Sequence, residues 1–468
     1  MLAGVIEGFY GPPWRDDERT ALFGRMAAWG LDTYVYGPKD DLHHRATWRE
    51  PYGAGQADTL GRLVSACHSE GLRFVYALGP GLDIRYGNET DERLLRARCD
   101  QMLRLGVDGI ALLFDDIPDR VDDATLARWG SLAGAQAHVA NGLLQWMAAQ
   151  AGSAIRDPRS PIPDPRSLLF CPTPYCGRMA AAHLGGEGYL EVLGERLHPD
   201  IDIFWTGPEI VSREITVSHV QEVSMRLRRP PVIWDNLHAN DYDSRRMCWG
   251  PYAGRPLDLR RHVRGILSNP NTECPVNYVP LRTLAAYLQT DETWDPRRAY
   301  LAALEEWRPA FETVAGPLDI DDLVLLADCH YLPYEDGPRA DAFHAQASLA
   351  LTDRSPDWRG RAEAAMREAV RLRDVCTRLA TLRDRALFAS IHRRIWDLRE
   401  EVDLVVRGIA ARLQSPDEVD WSFTSDFHLP GTFRGGMVAR LQDLLAMHPD
   451  GTFSPAGHPR TSHDDVAS

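Results

Sequence analysis

Cysteine is scarce in this chain: eight among 468 residues, with no Cys-x-x-C and only Cys171 and Cys176 close together. That excludes a disulfide framework and points to reduced thiols in a cytoplasmic setting. Positive charge is in deficit, and the net charge is −15. Nucleic acid and anionic membrane surfaces both need a basic footprint, so neither is an expected partner. A polyanionic polysaccharide is disfavoured for the same reason. No apolar stretch is long enough for a membrane helix, and nothing basic or strongly apolar precedes Ala3-Gly4-Val5-Ile6-Glu7-Gly8. A signal peptide is therefore not expected, and the expected location is cytoplasmic. Metal-site spacing is also missing: no His-x-His follows the first apolar run, and no His-Glu-x-x-His occurs. Asp40, Asp41, His43 and His44, with His238 and Asp241, are left as scattered donors, so no metal and no cofactor are expected.

What is present is the composition of a soluble globular protein, 44% hydrophobic and 25% charged. The length calls for a large domain with a smaller one. Eight short apolar runs end in polar, Gly or Pro residues: Ala3–Glu7, Thr33–Tyr36, Arg73–Leu78, Ile110–Phe114, Leu168–Phe170, Ile201–Trp205, Pro231–Trp234 and Gly265–Leu267. Helical patterns at Asp17–Trp29, Leu60–Glu70, Asp91–Leu105, Ala124–Ala149 and Ser212–Arg228 lie between them. That alternation predicts an α/β fold, a (β/α)8 TIM-type barrel over 1–285, with its active site built just after the strands. An open doubly wound sheet would need a Gly-x-Gly-x-x-Gly turn, and Gly4-Val5-Ile6-Glu7-Gly8 supplies none. The proline-rich stretch Arg156–Arg166 reads as an extended surface loop. From about residue 290 the pattern is all-helical, at Arg297–Trp307, Ile320–Asp328, Asp341–Leu351 and Asp357–Leu413. An α-helical domain over 290–447 is expected to buttress the barrel or mediate a homodimer. Residues 448–468 are expected to form an unstructured tail.

The fourth run, Ile110-Ala111-Leu112-Leu113-Phe114, delivers Asp115 and Asp116 side by side. Neighbouring side chains of a regular strand face opposite ways, which would bury one carboxylate unpaired. The pair is therefore expected past the last ladder residue, both groups facing one cleft. Two like charges that close push their pKa values apart, leaving one ionised and one able to hold a proton near neutrality. A solvated loop or a metal site are the other readings of an isolated Asp-Asp.

Several segments, taken in order, resemble glycoside hydrolase family 84, the β-N-acetylglucosaminidases that include O-GlcNAcase. They are Gly4–Gly11 through Trp14, Tyr36–Asp41 with Trp48-Arg49-Glu50, Pro80–Ile84, Phe114-Asp115-Asp116, Cys171–Gly177, Trp205–Pro208, Trp234–Asp243 and Ser268–Asn271. The departures are Gly37 and Gly79, where relatives carry Ala or Ser, and Pro174, where an acidic residue is common. None of these removes a functional group.

The resemblance implies a retaining glycosidase in which the substrate's own 2-acetamido oxygen is the nucleophile, through an oxazoline. Geometry agrees. Sequence neighbours have Cα atoms about 3.8 Å apart, so they do not readily flank a sugar as an acid and a nucleophile about 5 to 5.5 Å apart. By resemblance, Asp115 polarises the acetamide and Asp116 is the general acid and base. Tyr175 donates to the acetamide oxygen, and Lys39 with the Gly8 backbone holds a ring hydroxyl. Asp241 and Asn269 take hydroxyls on the far side, Asn236 sits beside the acetamide or Asp115, and Trp234 forms an apolar wall. Read without the family, Lys39 is a solvated charge, Tyr175 is packing or surface, and Asn236 and Asn269 are turn residues. The expected partner is an N-acetylglucosamine-bearing glycoside or glycoprotein. A hyaluronidase-type hexosaminidase, a metal-dependent barrel hydrolase and a non-catalytic N-acetylglucosamine-binding protein are the competing readings. The residues do not specify the natural aglycone, the oligomeric state or strictness against N-acetylgalactosamine.

Overall fold

The computed structural model describes residues 1–151, 167–291, 293–414, 421–425 and 435–456. The proline-rich stretch 156–166 and residues 457–468 lie outside them. Eight parallel strands close a barrel in sequence order: β1 (Leu2–Glu7), β2 (Thr33–Tyr36), β3 (Arg73–Leu78), β4 (Gly109–Leu113), β5 (Ser167–Cys171), β6 (Ile201–Trp205), β7 (Val232–Asp235) and β8 (Gly265–Ser268). The register runs from Gly4 opposite Thr33 round to Leu2 opposite Gly265, which shuts the ring.

The strands are near-continuous apolar runs because both faces are buried. Ile6, Val35, Val75, Ala77, Ala111, Leu113, Leu169, Cys171, Phe204, Val232 and Leu267 form one buried cluster. The alternate residues Ile110, Leu112, Leu168 and Phe170 are just as buried on the other face. Helices Asp16–Ala28, Ala54–Ser69 and Glu89–Arg104 follow the first three strands. The pattern read as one helix over 124–149 is two, Asp123–Trp129 and Leu132–Ala151. Gly130, at φ 78°, caps the first in the left-handed region that glycine enters without a steric cost.

The chain divides into two compact units, Met1–Asp241 with Ala253–Thr272 and Ala285–Trp294, and Tyr242–Tyr252 with Glu273–Leu284 and Asp295 onward. The boundary expected at 285 thus overlooks two segments, after β7 and β8, that belong to the second unit. That unit holds helices Pro296–Trp307, Ile320–Asp328, Pro338–Thr352, Trp358–Leu379 and Arg385–Gln414. It is not wholly α: Thr452–Pro455 pairs with Leu445–Met447 and Phe423–Thr424 in a small antiparallel sheet. The expectation of an unstructured chain from 448 therefore fails for Thr452–Pro455, where Phe453 is buried on Phe423.

Candidate active site

All nine residues singled out from the sequence belong to the first unit, most of them just beyond a strand end. At β4 the alternation that puts Leu113 inside the barrel also sends Asp115 inward over its mouth. Asp116 would face away, but its φ of 49° breaks the alternation. Few residues with side chains adopt this left-handed backbone, aspartate being among the more tolerant. Both carboxylates therefore meet groups from neighbouring strand ends.

Their surroundings differ. Asp115 Oδ2 lies 2.5 Å from Lys39 Nζ, both side chains being almost wholly buried. Burial pushes the Asp115 pKa up, but the Lys39 ammonium outweighs it, and the carboxyl is held below its usual range. For Lys39 burial works against the charge and Asp115 reverses it, so the ammonium is held above its usual range. Asp116 meets hydroxyls: Tyr175 donates to Oδ1 at 2.9 Å and Tyr10 donates to Oδ2 at 3.0 Å.

Trp234, on β7, is 5% exposed, packed edge-on against Phe204. Gly8 is there because a Cβ would run into the Trp234 ring. The Gly8 N–H donates to Asn269 Oδ1 at 3.3 Å, and Asn269 Nδ2 donates to Asn236 Oδ1 at 2.9 Å. Asn236 Nδ2 in turn donates to the Ile210 carbonyl at 2.8 Å. Asp241 Oδ2 accepts the Tyr10 N–H at 3.0 Å. Two buried ion pairs brace the ends of β1 and β7: Glu7 with Arg19 at 2.7 Å, and Asp235 with Arg255 at 2.7 Å.

Of the scattered metal candidates, Asp41 and His44 are engaged otherwise. Asp41 Oδ2 accepts the Tyr36 and Tyr52 hydroxyls at 2.9 and 2.6 Å. His44 Nδ1 is 2.8 Å from the Ala77 carbonyl, and burial holds its pKa down at about 4. Among the described residues no three His, Cys, Asp or Glu side chains are grouped to hold a metal.

A family model described as beta-N-acetylglucosaminidase matches residues 3–319, the whole barrel. The chain belongs to the β-N-acetylglucosaminidase family. It is similar to the protein O-GlcNAcases of mouse and rat, each 42% identical over 291 residues. That match takes in 62% of this chain and 30% of either rodent protein, so the chain spans under a third of their length. Its fold is similar to that of a mutant O-GlcNAc hydrolase of Thermobaculum terrenum, with a TM-score of 0.76 at 29% identity. That likeness covers 89% of this chain and 85% of the other.

Two residues that sequence reading did not place in this candidate site are Tyr10 and Arg45. Tyr10 lay inside a quoted motif, and only its contact with Asp116 gives it a role. Arg45 follows His43 and His44, which drew notice as possible ligands.

Proposed function

We propose that the chain is a retaining exo-β-N-acetylglucosaminidase that removes terminal β-linked N-acetylglucosamine by substrate-assisted catalysis. The observation that carries this reading is the contrast between adjacent carboxylates, one against a buried ammonium and one between two neutral hydroxyls. Environments that separate two carboxylates are how one fold supplies an anion and an acid at the same pH.

In this scheme Asp115 stays ionised. Its Oδ2 is occupied by Lys39, so Oδ1 receives the acetamide N–H and turns the carbonyl oxygen toward the anomeric carbon. Asp116 gives its proton to the leaving oxygen as the C–O bond breaks and the acetamide closes on the anomeric carbon as an oxazolinium, whose N–H stays hydrogen-bonded to ionised Asp115. It then takes a proton from the water that opens the ring. Tyr175 releases Asp116 and donates to the acetamide oxygen, which holds that oxygen in line with the anomeric carbon. Trp234 supports the sugar, and Asp241 with Asn269 recognises ring hydroxyls. The names of the rodent and bacterial relatives favour O-linked N-acetylglucosamine on protein as the substrate class.

Hydrolysis of a chromogenic β-N-acetylglucosaminide, with the first-formed anomer followed by NMR, tests the proposal. The β-anomer of free N-acetylglucosamine is expected first, since two inversions restore configuration. An α-anomer first, or no hydrolysis by the pure protein, overturns it.

A further inference from the structure

Arg45 takes no part in that scheme, yet its guanidinium forks onto the acid's surroundings. Nη1 donates to the Tyr10 hydroxyl at 2.6 Å, and Nη2 donates to the backbone carbonyl of Asp116. The Tyr10 oxygen lies 3.0 Å from Asp116 Oδ2. One side chain therefore touches the acid's main chain directly and its carboxyl through a tyrosine.

Each contact has a consequence. The carbonyl contact restrains the residue whose φ is 49°, where side-chain-bearing residues seldom sit. The hydroxyl contact sets a direction, because a guanidinium only donates. Tyr10 must accept from Arg45, and its own proton points on to Asp116 Oδ2. When Asp116 is protonated, the oxygen that carries the proton can donate along its tyrosine hydrogen bond, and that tyrosine then accepts. Oδ2 is kept an acceptor by the Arg45–Tyr10 chain, so Oδ1 is the oxygen that changes. Protonation at Oδ1 turns the Tyr175 hydroxyl proton off Asp116 and frees it for another acceptor.

We propose that Arg45 is a positioning residue that holds Asp116 in its left-handed turn and places the transferable proton on Oδ1. This rests on Asp116 being the general acid. The test is kcat/KM for Arg45→Ala, Arg45→Lys and Tyr10→Phe on aryl β-N-acetylglucosaminides of rising leaving-group pKa, with Asp116→Ala alongside. Arg45→Ala should lose about 10- to 100-fold on the phenyl glycoside and under about 3-fold on the 2,4-dinitrophenyl one. Added guanidinium chloride should restore part of the loss on the phenyl glycoside alone. Arg45→Lys should recover little, since one ammonium does not span both acceptors. The Tyr10→Phe, Arg45→Ala double variant should lose no more than the worse single one. Equal losses for Arg45→Ala across the series, or none, sink the proposal while an Asp116→Ala split leaves the acid assignment standing. A flat Asp116→Ala series removes that assignment and this proposal with it. Melting curves identify a misfolded variant, and if Arg45→Ala is one, Arg45→Lys and Tyr10→Phe decide by the same criterion.

Discussion

Lys39 and Asp115 sit 2.5 Å apart with almost no water around them, so each makes the other's charge tolerable. The Asp115 pKa is lowered on folding, so its share of stability is present above the unfolded value of about 3.9 and is lost as pH falls through the folded one. The Lys39 pKa is raised, so its share is complete below about 10.4 and is lost as pH rises through its folded value. The pair thus stays closed across the neutral range. Lys39→Ala removes the strongest influence opposing burial at Asp115 and leaves the weaker ones of Arg45 and His44, so the acid limb of kcat/KM should move to higher pH. The same variant should lose about 3 to 5 kcal/mol of stability at pH 7 by urea denaturation, the cost of stranding a buried charge. An unmoved acid limb would mean that Lys39 is not what keeps Asp115 ionised. Tyr175→Phe should cost about 1 to 3 kcal/mol of activation barrier, because the acetamide oxygen loses the hydrogen-bond donor that orients it. Silence there would remove Tyr175 from the chemistry.

At the scale of the element, the end of β4 combines a regular ladder with one residue in the left-handed region. The Phe114 N–H still reaches the Cys171 carbonyl at 2.9 Å, and the Thr173 hydroxyl holds the Phe114 carbonyl at 3.0 Å. The bend is therefore confined to the residues that follow. Asp116→Gly and Asp116→Ala both delete the carboxyl, but only glycine is at ease at φ 49°. Asp116→Gly should be the more stable of the two by about 1 kcal/mol in chemical denaturation. Equal stabilities would show that the turn is not strained. At the end of β1, Gly8→Ala should push the Trp234 ring aside, cost about 1 to 3 kcal/mol of stability and raise KM. An unaltered KM would mean that Trp234 does not wall the sugar site.

For the whole molecule, the proposed scheme makes the N-acetyl group of the substrate both a handle and a nucleophile. Plain β-glucosides, which lack it, should be inert in the assay that reports N-acetylglucosaminide cleavage. Comparable rates on both would show that the acetamide is not used. Hydrolysis should survive exhaustive chelation, because no step of the proposed scheme calls on a metal. All eight cysteines are buried thiols outside any disulfide, so reducing agents should change neither activity nor melting temperature.

The barrel was legible because each strand is covered on both faces. Burial on both sides leaves an uninterrupted apolar run, and the run must stop where the chain meets the polar mouth. All eight runs match the observed strands to within one residue at each end, and Thr33–Tyr36, Arg73–Leu78 and Ile201–Trp205 match at both. The paired aspartates were legible for the same reason, as charge that a strand interior would not accept. Helix breaks were less so: 124–149 reads as one helix despite Gly130, and the break between Leu379 and Arg385 carries neither glycine nor proline. Partnerships were not legible at all. That Lys39 meets Asp115, 76 residues away, and that Arg45 reaches Asp116 through Tyr10 depend on where β1, β2 and β4 end around one mouth. Local sequence determines which residues leave a strand end. Only closure of the barrel decides which of them meet, because side chains distant along the chain are brought within hydrogen-bonding distance by strand register and by no local preference.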